Sequence, residues 1–146
     1  MPELNYIAII VAALVPNVLG AIYYGPLLGN QWRSSLNLTS EDLKGRNEAL
    51  IYGSALLLAC IVSFFLKFLI ELTHKEVGQN GELVFGSFHT FGHGALHGAV
   101  LAIGLVIPVL VCLGLFQKTK GSNIIINCFF WLLCFSVMGG ILDAWS

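Results

Sequence analysis

The chain has few charged residues. Only 10% of its 146 residues are Asp, Glu, Lys or Arg, and 57% are hydrophobic, whereas soluble domains carry about 25% charged residues. So little charge cannot cover a folded core with a surface that water solvates well. We therefore expect an integral membrane protein. At about 20 apolar residues per crossing, the length allows four spanning helices.

An excess of basic residues is also lacking. Seven Lys and Arg residues stand against eight Asp and Glu, so the formal net charge is −1. No overall positive field attracts nucleic acid, which we exclude as a partner. The expected partners are the lipid bilayer and either further copies of the chain or other membrane-protein subunits. The sequence contains no nucleophile elbow, phosphate-binding loop or HExxH pattern, so we do not expect an enzyme.

Cysteine pairs at metal-ligand or redox spacing are absent as well. The four cysteines are Cys60, Cys112, Cys128 and Cys134. All of them lie within apolar runs, and no CxxC pattern occurs. We interpret them as small hydrophobic residues and expect no disulfide.

Four long apolar runs are present instead. They predict one transmembrane domain over residues 1–146, with spans at about 5–25, 49–72, 89–117 and 124–143. A signal peptide is the alternative for the first run, but the preceding residues include no Lys or Arg and the run is too long, so we predict a retained helix. The predicted fold is an all-α, four-helix transmembrane bundle. Prolines at 16 and 108 are expected to bend the first and third helices.

Two of the segments that connect the apolar runs contain sequence patterns that predict local structure. Thr39 and Asp42 resemble a capping box, which predicts a short interfacial helix start near Ser40, before the second span. Residues 77–87 are predicted to form a loop, with a turn at Asn80-Gly81.

The distribution of basic residues predicts the orientation. The first and third connections hold Arg33, Lys44, Arg46, Lys118 and Lys120, whereas the opposite side holds Lys67 and Lys75. Basic residues concentrate on the cytoplasmic side of membrane proteins. We therefore predict that both termini are non-cytoplasmic.

Small residues and one amide predict how the helices pack. Gly94 and Gly98 repeat at four-residue spacing in the third run, as do Ala55 and Ala59 in the second. Such stripes allow two helix backbones to approach closely. Asn17 is a polar side chain at membrane depth, and we expect it to hydrogen-bond to another helix.

The third run opens with three histidines spaced four residues apart. His89, His93 and His97 are offset by about 40° per step on a regular helix, so they share one face. If the four helices alternate in direction, this face meets the end of the second span and the end of the fourth. Those ends contribute Lys67, Glu71, His74 and Asp143.

This cluster has several possible chemistries. His89, His93 and His97 could bind a divalent metal ion, with Glu71 or Asp143 completing or orienting the site. All three histidines reach one ion only if the start of the helix is bent or partly unwound. The alternatives are contacts with backbone, lipid phosphate or water in the headgroup layer, a proton relay, or a haem held by His74 and a later histidine. The residues alone leave these alternatives open.

A resemblance to a known family is carried by three segments, NYIAIIVAALVPNVLGAIYYGPLLGNQW, LTSEDLK and MGGILDAW. They resemble a bacterial membrane family known as domain of unknown function 1761. The resemblance implies a four-helix protein in a bacterial inner membrane, and it implies no reaction or ligand. We therefore expect a structural or interaction subunit, as a homo-oligomer or an accessory chain. The alternative is a small carrier or a metal- or proton-binding protein that uses the histidines.

Overall fold

The computed structural model describes residues 5–39, 41–86 and 88–145, and these are mostly helical. The helices are α1 (Tyr6–Ile22), α2 (Gly29–Ser35), α3 (Glu48–Thr73), α4 (Phe91–Leu101), α5 (Ile107–Phe116) and α6 (Gly121–Ala144). Two short strands, β1 (Lys75–Val77) and β2 (Leu83–Phe85), form a hairpin between α3 and α4. A π-helical turn at Tyr23–Leu27 extends α1, and another at Ala102–Val106 joins α4 to α5.

Four helices are long and apolar enough to cross a membrane, which is consistent with an integral membrane protein. They are span 1 (Tyr6–Leu27), span 2 (Glu48–Thr73), span 3 (Phe91–Phe116) and span 4 (Gly121–Ala144). This confirms the predicted all-α fold with four spanning helices. The predicted boundaries differ by a few residues at most, because polar flanks set the ends of each hydrophobic run.

Side-chain caps fix where spans 1, 2 and 3 begin, the first through the Asn5 side chain, which accepts a hydrogen bond from the Ala8 N–H at 3.1 Å. The Asn47 side chain accepts a hydrogen bond from the Leu50 N–H at 3.1 Å and starts span 2. The Thr90 hydroxyl accepts one from the His93 N–H at 3.2 Å and starts span 3. Such caps satisfy backbone donors that have no partner within the helix. Because Thr90 caps the helix, His89 lies just outside it.

The start of the helix before span 2 differs from the prediction. The capping-box contacts do form, since Asp42 Oδ2 accepts the Thr39 hydroxyl at 2.6 Å and the Thr39 N–H at 2.7 Å. These bonds hold the pKa of Asp42 below its usual value. Turns follow rather than a helix, because Gly45 adopts a φ of +77°, which a right-handed helix cannot continue through. The short helix before span 2 is α2, and Ser40 itself lies outside the described residues.

Spans 1, 2 and 4 share a buried core, and span 3 packs chiefly on span 4. The fully buried core side chains are Ala8, Ala12, Ile70, Cys134, Met138 and Leu142. The Ser63 hydroxyl donates to the carbonyl of Ile9 at 2.8 Å and links span 2 to span 1. The backbones of spans 3 and 4 are in direct contact at Gly98, where an added side chain would overlap the carbonyl of Phe135.

The prolines act differently in spans 1 and 3. Helix α1 runs through Pro16 without interruption, and the irregular backbone follows later, at Gly25 beside Pro26. In span 3 the π-helical turn ends just before Pro108. Because Pro108 has no N–H, the carbonyl one turn before it loses its usual donor, and the helix is irregular there.

The hairpin returns the chain to the end of span 2. Lys75 pairs with Phe85 and Val77 with Leu83, around a turn in which Gly81 has a φ of +78°. The Gly86 N–H also donates to the carbonyl of His74 at 2.8 Å. The sequence predicted the turn but not the strands. As a result, the start of span 3 lies beside His74.

Candidate functional site

A buried carboxylate lies at the centre of one end of the molecule. Asp143, near the end of span 4, is 0% exposed. Its Oδ1 atom lies 2.8 Å from His74 Nε2 and 3.1 Å from His89 Nδ1, and its Oδ2 atom lies 2.8 Å from His93 Nδ1. A carboxylate accepts hydrogen bonds, so each of these imidazole nitrogens carries the hydrogen and donates it. Three histidines therefore surround a single acidic group.

Each of the three histidines is positioned by a different element. His74 is the last residue of the turn that ends α3, and its side chain is buried. His89 lies between the hairpin and the Thr90 cap, and its ring stacks on that of His74 with centroids 4.2 Å apart. His93 lies in the first turn of α4. The site thus depends on the hairpin as well as on the helices.

His97 lies one turn further into span 3 and contacts the group indirectly. Its Nε2 atom is 3.0 Å from His93 Nε2. Because His93 donates from Nδ1 to Asp143, neutral His93 accepts at Nε2 from the His97 N–H. The structure therefore places His97 behind His93, whereas the sequence grouped it with His89 and His93 as a metal ligand. A hydrogen-bonded chain of this kind orients His93 and can also pass a proton.

A buried ion pair adjoins the histidines. Lys67 donates to the carboxylate of Glu71 and, at 3.2 Å, to the carbonyl of Leu142, the residue before Asp143. The side chain of Lys67 is 1% exposed and that of Glu71 is 9% exposed. This pair is neutral overall and ties span 2 to span 4. Glu71 is thus engaged by lysine, and in the structure it does not join the histidines.

The electrostatics of the site favour a cation. With neutral imidazoles the charge of Asp143 is uncompensated, and a buried charge without a counterion is costly. The C-terminal ends of α3 and α6 and the N-terminal end of α4 lie here, so two partial negative charges and one partial positive charge act on the site. A proton on one histidine or a bound metal ion would neutralise the site.

The geometry fits a metal ion with three protein ligands. His74, His89 and Asp143 each offer one ligand atom, and these three atoms lie within 4.8 Å of one another. A tetrahedral zinc site with bonds of about 2.1 Å needs ligand atoms about 3.4 Å apart. The two hydrogen-bond distances to Oδ1, 2.8 and 3.1 Å, lie a few tenths of an ångström below this value. His93, on Oδ2, would then orient the ligating carboxylate from outside.

The remaining predicted residues serve packing. Gly94 lies against the site, since a side chain there would overlap Asp143 and the carbonyl of Gly139. Ala59 is buried, and Asn17 donates to the carbonyl of Tyr52 on span 2 at 3.2 Å. Ala55 lines a cavity at the opposite end of the molecule. The stripe formed by Gly94 and Gly98 therefore packs against span 4 of the same chain.

Sequence reasoning placed Asp143 and His74 among the accessory polar residues, whereas the structure places them at the centre of the site. One signal pointed to Asp143, which is the only acidic residue in spans 3 and 4. The chain has four histidines in all, and all four gather around this carboxylate or its immediate neighbour. His74 was grouped with Asp143 only because the second and fourth spans were expected to end on the same side, which did not predict their direct contact.

Comparison with known proteins gives one match. A family model described as a protein of unknown function, DUF1761, matches residues 7–143. No curated protein and no solved structure matches the chain. The matched region includes all the histidines and Asp143, and it covers the three segments that carry the resemblance except for two residues at each outer end.

Proposed function

The chain belongs to the DUF1761 family, whose function is unknown, and from the geometry of the site we propose that it binds a divalent transition-metal ion through His74, His89 and Asp143. One observation carries this proposal. Three ligand atoms from three separate elements converge within 4.8 Å around a buried carboxylate. Imidazole nitrogen together with carboxylate oxygen suits Zn²⁺ and its neighbours among the first-row metals.

Metal binding would replace hydrogen bonds that the carboxylate already receives. His74 and His89 would each give up the hydrogen on the ligating nitrogen, and that hydrogen moves to the other ring nitrogen or to solvent. His93 would keep its bond to Oδ2. Three protein ligands leave a fourth position for water or another small ligand. We propose a binding role and not an enzymatic one.

Metal content tests the proposal directly. Full-length protein, purified in mild detergent and stripped with a chelator, is loaded with Zn²⁺ or Co²⁺, and bound metal per chain is measured after desalting. We expect one ion per chain, and Co²⁺ bands that report tetrahedral geometry. His89→Gln and Asp143→Asn should each weaken metal binding by at least about tenfold. Loss of a residue that only supports a metal ligand weakens binding by about 10- to 100-fold, and loss of a ligand itself should cost no less.

His97→Gln is the matched control, because His97 contacts His93 and not the three ligands. It should leave metal binding nearly unchanged. Two results would contradict the proposal: no stoichiometric metal in the wild-type protein, or equal loss in His97→Gln and His89→Gln. Either result would point to a hydrogen-bonded histidine cluster that binds no metal.

We propose that the protein lies in a bacterial inner membrane with both termini non-cytoplasmic. The sequence places five basic residues in the first and third connections. Those connections also touch, since Lys120 donates to the carbonyl of Ser34 at 3.1 Å and to Asn37 Oδ1 at 2.6 Å. Reporter proteins fused to the C-terminus, active on only one side of the membrane, test this orientation. A cytoplasmic C-terminus would refute it.

A structural or interaction role, as a homo-oligomer or an accessory chain, is the second candidate. Its support is the small share of spans 2 and 3 buried within the chain, 17% and 11% of their most hydrophobic windows. These faces are open to lipid or to partner helices. The molecular mass in mild detergent, with identification of co-purifying chains, tests this role. A monomer without partners would count against it and leave the metal proposal intact.

A further inference from the structure

A cavity of about 490 Å³ lies at the end of the molecule opposite the histidines. It lies between the second half of span 1 and the first turns of span 2, and Trp32 and Phe130 complete its wall. Its volume falls in the range of sites that hold small molecules, about 300–1,000 Å³. Spans 2 and 4 contribute to both places, but His74, the later histidines and Asp143 are not among the described residues that line the cavity.

Small residues create the space. Gly20 and Ala21 on span 1 face Ala55 on span 2, so little side-chain volume separates the two helices there. Aromatic rings form another part of the wall, since Tyr24 packs on Phe130 with centroids 4.8 Å apart and on Trp32 at 5.5 Å. Asn17 also lines the cavity, and its side-chain amide already donates to the carbonyl of Tyr52. The interior is therefore an apolar and aromatic slot.

The depth of the slot matches one leaflet of a bilayer. Its lining on span 1 extends from Pro16, near the middle of the span, to Gly25, near its end. That distance is about 14 Å along a helix, at about 1.5 Å per residue. Half the hydrocarbon thickness of a bilayer is about 15 Å. An acyl chain of the adjoining leaflet has this length and polarity.

The mouth of the slot carries one charge of each sign. Arg46 and Glu48 both line it and are both exposed. Among the described residues no carboxylate lies within ion-pair distance of Arg46, whereas the nearby Lys44 pairs with Glu41 at 2.6 Å. A guanidinium binds phosphate strongly and in a fixed geometry. A carboxylate beside it would accept an ammonium group.

We propose that this cavity binds one phospholipid with an amine headgroup, such as phosphatidylethanolamine. Arg46 binds the phosphate, Glu48 accepts the ammonium group, and one acyl chain fills the slot between spans 1 and 2. The lipid seals the gap between the two helices at this membrane face.

Lipid retention by the full-length protein tests the proposal. Delipidated protein is mixed with detergent micelles that contain equal amounts of phosphatidylethanolamine and phosphatidylglycerol, and bound lipid is counted by native mass spectrometry. We expect one retained lipid, mainly phosphatidylethanolamine. Arg46→Gln should reduce retention by about tenfold, the loss expected when one hydrogen bond to a charged group is removed.

Lys44→Gln is the control, because it removes the same charge from the same connection but does not line the cavity. It should retain the lipid. Glu48→Gln should abolish the preference for phosphatidylethanolamine, and Ala55→Phe should exclude both lipids by filling the slot. Equal retention of the two lipids by the wild-type protein, or retention unaffected by Ala55→Phe, would overturn the proposal.

Discussion

At the scale of single residues, Asp143 explains why the chain's histidines gather. A fully buried carboxylate requires several donors, and in this protein the imidazoles of His74, His89 and His93 supply them. The same arrangement prepares the carboxylate for a metal ion, since each of its oxygens is already oriented. Without metal, the three imidazoles donate hydrogen bonds to the Asp143 carboxylate. With metal bound, two of them become ligands and the third supports the ligating carboxylate.

Sequence reasoning could find this neighbourhood but not its centre. Helical spacing grouped His89, His93 and His97 on one face, which assumes that the helix includes all three. The cap at Thr90 starts the helix after His89, so the His89 ring is free to turn toward Asp143. A cap of this kind is readable in a sequence. The alternating directions of the helices placed His74 near Asp143, but its direct contact with the carboxylate could not be predicted, because it depends on how spans 2 and 4 pack.

The Lys67–Glu71 pair gives a prediction at this scale. Lys67→Met leaves the Glu71 carboxylate buried without its counterion, and breaking a buried pair in this way costs about 3–5 kcal/mol of folding free energy. The double variant Lys67→Met with Glu71→Gln removes both charges and should recover most of that loss. Unfolding by denaturing detergent, followed by circular dichroism, measures all three proteins. A single variant as stable as the wild type would show that the pair contributes little.

At the scale of elements, the approach of span 3 to span 4 determines the site. Gly94 and Gly98 place the start of span 3 directly on the backbone of Gly139 and Phe135, which brings His93 within reach of Asp143. The four-residue glycine spacing predicted close packing. It could not say which helix would be the partner, because the other spans carry small residues as well. The two strands were unpredictable for another reason, since three residues each are too few to show alternation.

Gly98→Ala tests this contact. The added methyl group would overlap the carbonyl of Phe135, so spans 3 and 4 must separate, and overpacking of this kind costs about 1–3 kcal/mol. We expect lower thermal stability and weaker metal binding, because His93 moves away from Asp143.

Gly92→Ala is its control on the same helix. A side chain at Gly92 meets no atom of the described residues within 4 Å, and alanine favours helix over glycine by up to about 1 kcal/mol. This variant should be neutral or slightly more stable. Equal destabilisation by both substitutions would mean that the contact between spans 3 and 4 is not what makes Gly98→Ala destabilising.

At the scale of the whole molecule, the histidine cluster and the aromatic cavity lie at opposite ends. The histidine cluster lies where spans 2 and 4 end and span 3 begins, and the aromatic cavity lies where span 1 ends and span 2 begins. The four-helix fold was predictable, because the length and polarity of each apolar run determine whether it can cross a membrane. The contacts between particular helices were not predictable, because apolar helix faces of similar composition can pack in several alternative pairs.

Metal binding at the cluster should stabilise the entire chain. The proposed ligands join the end of span 2, the segment after the hairpin and the end of span 4, so an ion there opposes separation of three elements. A ligand that binds only the folded state stabilises it by about 2.7 kcal/mol at a concentration of 100 times its Kd. Melting in mild detergent with Zn²⁺ should therefore occur at a higher temperature than with chelator. His97→Gln should show the same Zn²⁺-dependent increase, and His89→Gln should show a clearly smaller one. A Zn²⁺ effect of full size in His89→Gln would place the ion elsewhere and leave the buried cluster as a purely structural network.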